Sequence, residues 1–136
     1  MLKTERVATA SRNQIVDITG KVAAFVQESG IQDGLCVVYV PHTTAAVSIN
    51  ENADPDVKHD VLEKLTAMIP QREQYYDHSE GNSDSHLKTM LTGPSVTLII
   101  DHGKLVLGTW QGIYFCEYDG PRTRTYHIKI VGSAVT

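Results

Sequence analysis

Residues 35–40, Leu-Cys-Val-Val-Tyr-Val, form the longest uninterrupted apolar run in the chain and restrict the folds open to it. The run has the length of one β-strand and falls far short of the ~20 apolar residues that a membrane-spanning helix needs. Gly34 precedes it and β-branched valines recur within it, so it predicts a strand buried on both faces. Residues 95–100, SVTLII, predict another buried strand. Across 122–131, Tyr126, Ile128 and Ile130 alternate with Thr125, His127 and Lys129, the pattern of a half-exposed strand. Further strands are expected at 2–10, 13–18, 43–49, 104–107 and 110–118.

Helical signals cluster between these strands. Thr19 can cap a helix that runs to about Ser29, with Val22, Ala23 and Val26 on one face and Gly30 as its stop. Asp54 suits an N-cap, Pro55 the first helical position, and Asp56 the positive end of the dipole. Val57, Val61, Leu62, Leu65, Met68 and Ile69 then recur at helical spacing until Pro70. A loop rich in Tyr, Asp and His over 71–82 leads to a short helix near 84–91, closed by Gly93 and Pro94. Strands at both ends with helices between them predict an α+β fold. The expected form is a mostly antiparallel β-sandwich of about seven to eight strands, with two or three helices inserted mid-chain.

A length of 136 residues makes residues 1–136 a single domain and excludes a (β/α)₈ barrel, which needs about 250. Twelve Lys and Arg against 16 Asp and Glu leave a net charge of −4, the wrong sign for a nucleic-acid coat. Cys36 and Cys116 lack any Cys-x-x-Cys context and read as reduced core residues. The first residues, MLKTERVATASRNQ, contain no apolar stretch of a secretory signal. A soluble, cytoplasmic protein is expected, with no membrane partner.

Three windows hold polar residues that the fold alone does not require. In 41–56, His42, Thr43 and Thr44 follow a buried strand, and Asn50, Glu51 and Asn52 precede a helix start. Capping explains Asp54 to Asp56 but gives His42 and Glu51 no duty. In 75–88, His78 and His86 flank Glu80, Asn82 and Asp84, with Lys88 beyond. With His42 as a third imidazole they would make an open three-ligand site for a divalent metal. Equally, the three would bind phosphate or act as acid and base. His59, His102 and His127 read as ordinary surface histidines. In 103–124, Trp110 suits core or subunit-interface packing, and Asp119-Gly120-Pro121 is a turn. Arg122 and Arg124 share a strand face by period two, forming either an anion site or a solvated or interface pair.

PHTTAAVSINENADPDV (41–57), HSEGNSDSHLK (78–88) and LGTWQGIYFCEYDGPR (107–122) together resemble the signature blocks of the YjbQ-like family, commonly labelled secondary thiamine-phosphate synthase. Ser85 stands where that pattern has a small Ala, and Tyr118 where it has Phe. The resemblance implies a β-sandwich assembled as a homotrimer, with a polar pocket near the subunit boundary. That pocket would hold His42, Thr43, Thr44, Asn50, Glu51, His78, Asn82, His86, Lys88, Gln111 and Arg122. It further implies a transferase that joins hydroxymethylpyrimidine diphosphate to thiazole phosphate and releases pyrophosphate, as either its main or a secondary activity. Arg122, Lys88 and a divalent ion (Mg or Zn) would neutralise the leaving group. Glu51, His42, His78 and His86 would hold the ion or move a proton. Two alternatives keep the same residues: a metal-assisted hydrolase of a small phosphorylated metabolite, and a non-catalytic trimeric module that binds an anionic metabolite.

Overall fold

The computed structural model describes residues 1–133. Eight strands and three helices follow in the order β1 (Leu2–Ala8), β2 (Gln14–Asp17), α1 (Thr19–Ser29), β3 (Asp33–Tyr39), β4 (Ala45–Glu51), α2 (Pro55–Met68), α3 (Ser83–Thr92), β5 (Ser95–Asp101), β6 (Lys104–Leu105), β7 (Gln111–Glu117) and β8 (Thr123–Ser133). They form a five-stranded sheet, β1-β8-β3-β5-β6, and a three-stranded sheet, β2-β7-β4. Every pairing is antiparallel, as the α+β expectation required.

The core lies between the sheets. Cys36, Val38, Leu98, Ile100, Tyr126, Ile128 and Ile130 from the large sheet meet Ala45, Val47, Ile113 and Phe115 from the small one. Helix α1 closes the same core with Val22, Phe25 and Val26, the i, i+3, i+4 spacing of one helical face. Phe25 takes the place expected for Ala23, which is exposed. Thr19 is the first residue of α1, with Ile18 at the N-cap position. Its hydroxyl donates to Asp17 Oδ1 at 2.6 Å and accepts the Ile113 N–H at 2.8 Å, so it ties the helix to β7.

Two expectations need correction. Strand β3 is not buried on both faces: Cys36 and Val38 point inward, while Leu35 and Tyr39 are exposed. In β5, Leu98 and Ile100 point inward and Ile99 is 56% exposed. The helices leave the outer face of the large sheet open, so an apolar residue there meets no intrachain cover. Leu35 pairs with both Ile99 and Val131, which makes an exposed apolar row across three strands. The second correction concerns α2. Asp54 caps it through the Asp56 N–H at 2.9 Å, and Pro55 opens it as predicted. Its apolar stripe, however, is only partly covered, and none of its residues is fully buried.

The outer face of the small sheet carries Ala46, Tyr114, Cys116 and Tyr118, packed against Leu62 and Leu65 of α2. Both cysteines are free and buried, as the sequence suggested. Among the described residues, no helix is long and apolar enough to cross a membrane.

Gly34 lies opposite Gly132 where β3 and β8 approach closely, and a Cβ on it would lie 2.2 Å from the Val131 carbonyl oxygen. Gly34→Ala is therefore expected to destabilise the fold by about 1–3 kcal/mol, the usual range for overpacking, measured by urea denaturation. An unchanged midpoint would show that the two strands separate at no cost.

Candidate functional site: a histidine and arginine cavity at the strand ends

A cavity of about 410 Å³ opens where β3 passes to β4 and β7 turns into β8. His42, Thr43 and Thr44 line it from the first connection. His78, Glu80 and Asn82 come from the loop before α3, and His86 from the first turns of α3 itself. Asp119, Arg122 and Arg124 complete the wall. Thus all three histidines singled out by sequence line one cavity, with both arginines.

The cavity rests on a buried ion pair. Glu117 is fully buried, and Arg124 faces it through Nε at 2.9 and 3.1 Å and through a short contact from its terminal nitrogen. Arg124 also donates to the Thr44 hydroxyl at 2.9 Å, and Thr9 Oγ1 donates to Glu117 at 2.7 Å. Burial pushes the Glu117 carboxyl up, but hydrogen bonds from Arg124, Thr9 and the Asp119 N–H outweigh it and hold the pKa below its ordinary 4.5. The charge of Arg124 is therefore largely spent inside the protein. Arg122 is the half-exposed member: its Nε donates to the Asp119 carbonyl at 2.7 Å, and its terminal nitrogen to Asp119 Oδ2 at 3.1 Å.

Each histidine is held differently. His42 Nε2 lies 3.1 Å from both the Thr125 N–H and the Thr125 carbonyl oxygen, accepting from the first in one tautomer and donating to the second in the other. Burial and the Arg124 cation both lower its pKa, so it stays neutral. His78 and His86 pack edge to face with ring centroids 5.4 Å apart. Asn82 is 6% exposed; its Nδ2 donates to Asp119 Oδ2 at 2.8 Å, while its Oδ1 has no partner. An unsatisfied acceptor on the cavity wall suits an occupant that brings a donor.

Four sequence expectations separate from this cavity. Lys88 is buried elsewhere, its Nζ bonded to Asn13 Oδ1 at 3.1 Å and Asp84 Oδ2 at 3.3 Å. Two residues past His86 on a helix, it cannot face the same way. Asn50, Glu51 and Gln111 sit at the far end of β4 and β7, where Glu51 pairs with Gln111. At ~3.3 Å per strand residue, that end is about 20 Å from Thr44. There, Glu51 Oε2 accepts the Ala53 and Asp54 N–H groups at 3.0 and 3.3 Å, a local turn role. Gln111 Oε1 accepts the Gly108 N–H at 2.8 Å.

The three histidines line one cavity, and among the described residues no group of three or more His, Cys, Asp or Glu side chains is close enough, as placed, to hold a metal ion. Glu117 was missed by sequence reasoning, and Asp84 was named there only as a neighbour of the two histidines. Asp84 carries α3: Arg12 grips it with two bonds at 2.9 and 3.0 Å, beside Lys88. The available signal was phase. Glu117 and Arg124 sit on the inward register of otherwise apolar strands, alongside Phe115 and Tyr126.

Fold and cavity together define a two-sheet sandwich with its polar site at one set of strand ends. Residues 3–133 match the family described as UPF0047 protein YjbQ-like, and the chain belongs to it. It is 52% identical to UPF0047 protein YugU of Bacillus subtilis, over 97% of this chain and 100% of that protein. A UPF0047 protein of Methanocaldococcus jannaschii is 51% identical over 97% of this chain and 95% of its own. The crystal structure of a YjbQ/UPF0047 family protein from Clostridium acetobutylicum superposes with a TM-score of 0.93 at 50% identity, covering 95% of this chain and 99% of that one. A YbjQ-like protein from Sulfolobus solfataricus gives 0.93 at 34% identity, covering 98% and 97%.

Removing the Glu117 carboxylate strands the Arg124 guanidinium, so Glu117→Ala is expected to cost about 3–5 kcal/mol in chemical denaturation. The depressed pKa also sets a pH window. Below 4.5 the unfolded chain binds the proton more readily than the folded one, so this contribution is present above that pH and is lost as pH falls further. Wild-type stability should therefore decline below pH 4.5, and the Glu117→Ala curve should be flatter there. Parallel curves would remove the pair from the account of acid sensitivity.

Proposed function

We propose that the cavity binds a small phosphorylated metabolite and that His78 and His86 exchange protons with it. The observation that carries this reading is the convergence of Arg122, two adjacent imidazoles and the unpartnered Asn82 Oδ1 on one cavity. Arg122 offers a planar fork suited to phosphate oxygens, and Asn82 accepts from an amino or hydroxyl group on the same ligand.

The specific reaction is thiamine-phosphate synthesis of the kind the sequence blocks suggest. The bond from the pyrimidine methylene to the diphosphate oxygen breaks, its electron pair leaves with pyrophosphate, and the thiazole nitrogen supplies the pair for the new C–N bond. Charge decides what the leaving group needs. Arg124 is matched by Glu117, and Arg122 shares the wall with Asp119 and Glu80. His78 and His86 therefore supply the ring N–H donors at the departing pyrophosphate. No step depends on a divalent ion.

The same reading includes assembly. Leu35, Ile99 and Val131 form an apolar row on the open sheet, while Leu87, Met90 and Leu91 expose an apolar ridge on α3 and Trp110 is 63% exposed. Two unlike apolar patches suit a heterologous contact, which closes into a ring. A homotrimer buries both, and a neighbouring copy can then bring Asn50, Glu51 and Gln111 toward the cavity.

Calorimetry with pyrophosphate at fixed ionic strength is expected to give at least tenfold weaker binding for Arg122→Lys, because the fork is lost although the charge remains. His78→Ala and His86→Ala should each lower synthase turnover by about 10²-fold or more. Full turnover in both would leave the cavity as an anion-binding module. In sedimentation equilibrium, the protein should behave as three copies of the 15.0 kDa chain, with Ile99→Lys shifting it to smaller species. A wild-type monomer at micromolar concentration would rule out the ring.

A further inference from the structure

We propose that the gap between α2 and the outer face of the small sheet is a second binding site, for a small, mainly apolar carboxylic acid held by Lys58 and the Tyr114 hydroxyl. It goes beyond the function proposed above. Within one chain it shares no lining residue with the histidine cavity, although Asn50, which lines it, is one of the residues a trimer would bring toward a neighbour's cavity.

The gap is a cavity of about 280 Å³. Protein interiors pack as densely as organic crystals, with few voids larger than a water, so a space of this size between a helix and its sheet is unusual. It arises because α2 stands off the sheet. Val57, Val61 and Leu65 recur every fourth residue and face the gap, yet no residue of the helix is fully buried. Across from them the sheet presents Ile15 and Tyr114. The walls are mainly apolar, with Ser48, Asn50 and Thr92 as neutral polar members, which selects a mainly alkyl or aromatic body.

Two polar groups define the rest of the ligand. Tyr114 is 3% exposed, and its hydroxyl is buried with no hydrogen-bond partner. A buried tyrosine hydroxyl normally finds one, and Tyr114 is among the residues that line the cavity. Burial, with Asp17 and Glu51 nearby, raises its pKa, so the hydroxyl remains protonated and donates. Among the described residues Lys58 is the only charged side chain on the cavity wall, and its ammonium lies over the Tyr114 ring, 5.1 Å from the centroid. The Asp17 carboxylate feels this cation but is already engaged. It accepts the Thr19 N–H at 2.9 Å, the Thr19 hydroxyl at 2.6 Å and Asn52 Nδ2 at 2.9 Å. Cation and donor side by side, at an apolar cavity, are the chemistry that recognises a carboxylate on a hydrophobic body.

The test is a titration of isotope-labelled full-length protein, followed by NMR, with phenylacetate and hexanoate against the size-matched alcohols 2-phenylethanol and 1-hexanol. Amide shifts should concentrate on α2 and on residues 114–118, and the acids should bind at least tenfold more tightly than the alcohols. Lys58→Met should erase that preference, and Tyr114→Phe should weaken the acids at least threefold. Both replacements spare the apolar packing, and Arg122→Lys should leave acid binding unchanged while it weakens pyrophosphate. Failure of every probe to saturate at millimolar concentration, or equal affinity for acids and alcohols, would overturn the site. Shifts confined to the histidine cavity would do the same without touching the function proposed there.

Discussion

Glu117 has no accessible surface, and its carboxylate is gripped by Arg124 from the neighbouring sheet, by Thr9 and by the Asp119 N–H. Desolvating two charges costs several kcal/mol per ion, so such a pair persists only when nearly every lone pair and donor is matched. Matching here reaches four segments. Glu117 ends β7, Arg124 begins β8, Thr44 leads into β4 and Thr9 leaves β1. The pair consequently joins the two sheets at the end where the cavity opens. Its role is geometric before it is chemical, since it fixes the Asp119–Arg122 turn and leaves Arg122 as the arginine with charge to offer outward.

A second buried charge cluster does the same for α3. Asp84 is held by Arg12 and Lys88, and burial, which opposes ionisation, is outweighed by these cations. Ser85 Oγ donates to the Tyr118 carbonyl at 2.5 Å beside it. With Asp84, Ser85 and Lys88 turned inward, His86 is turned toward the cavity, and Asn82 sits just ahead of the first turn. Residues that look catalytic by type, Lys88 above all, thus serve to orient those that reach the cavity.

Periodicity made most of the fold legible. The alternation of Tyr126, Ile128 and Ile130 places β8 correctly, and Asp54 and Pro55 mark the start of α2 where it lies. The burial of residues 35–40 was overestimated because an apolar run does not say which of its two registers the chain covers, and here Cys36 and Val38 face the core while Leu35 and Tyr39 do not. His42, His78 and His86 were legible as one group, since polar residues beside strand ends have few other duties. Asn50, Glu51 and Gln111 were not separable from them, because separation along a sheet depends on pairing that one sequence does not display. Lys88 misled for a simpler reason: spacing on a helix chooses a face, and two residues choose the wrong one.

Strand β8 comes last in chain order yet lies between β1 and β3, making ladders with both. During synthesis, then, β1 has no partner in its sheet until the rest of the domain has been made. In the large sheet β3 can pair with β5, and β5 with β6, before β8 is made, whereas the small sheet waits for β7. Such long-range closure places this chain among slow-folding topologies, because loop entropy is lost before the pairing that rewards it. An emerging chain would carry the unpaired edge of β3, including Leu35 and Tyr39, until β8 arrives, and this interval is when it is most open to association with other nascent chains.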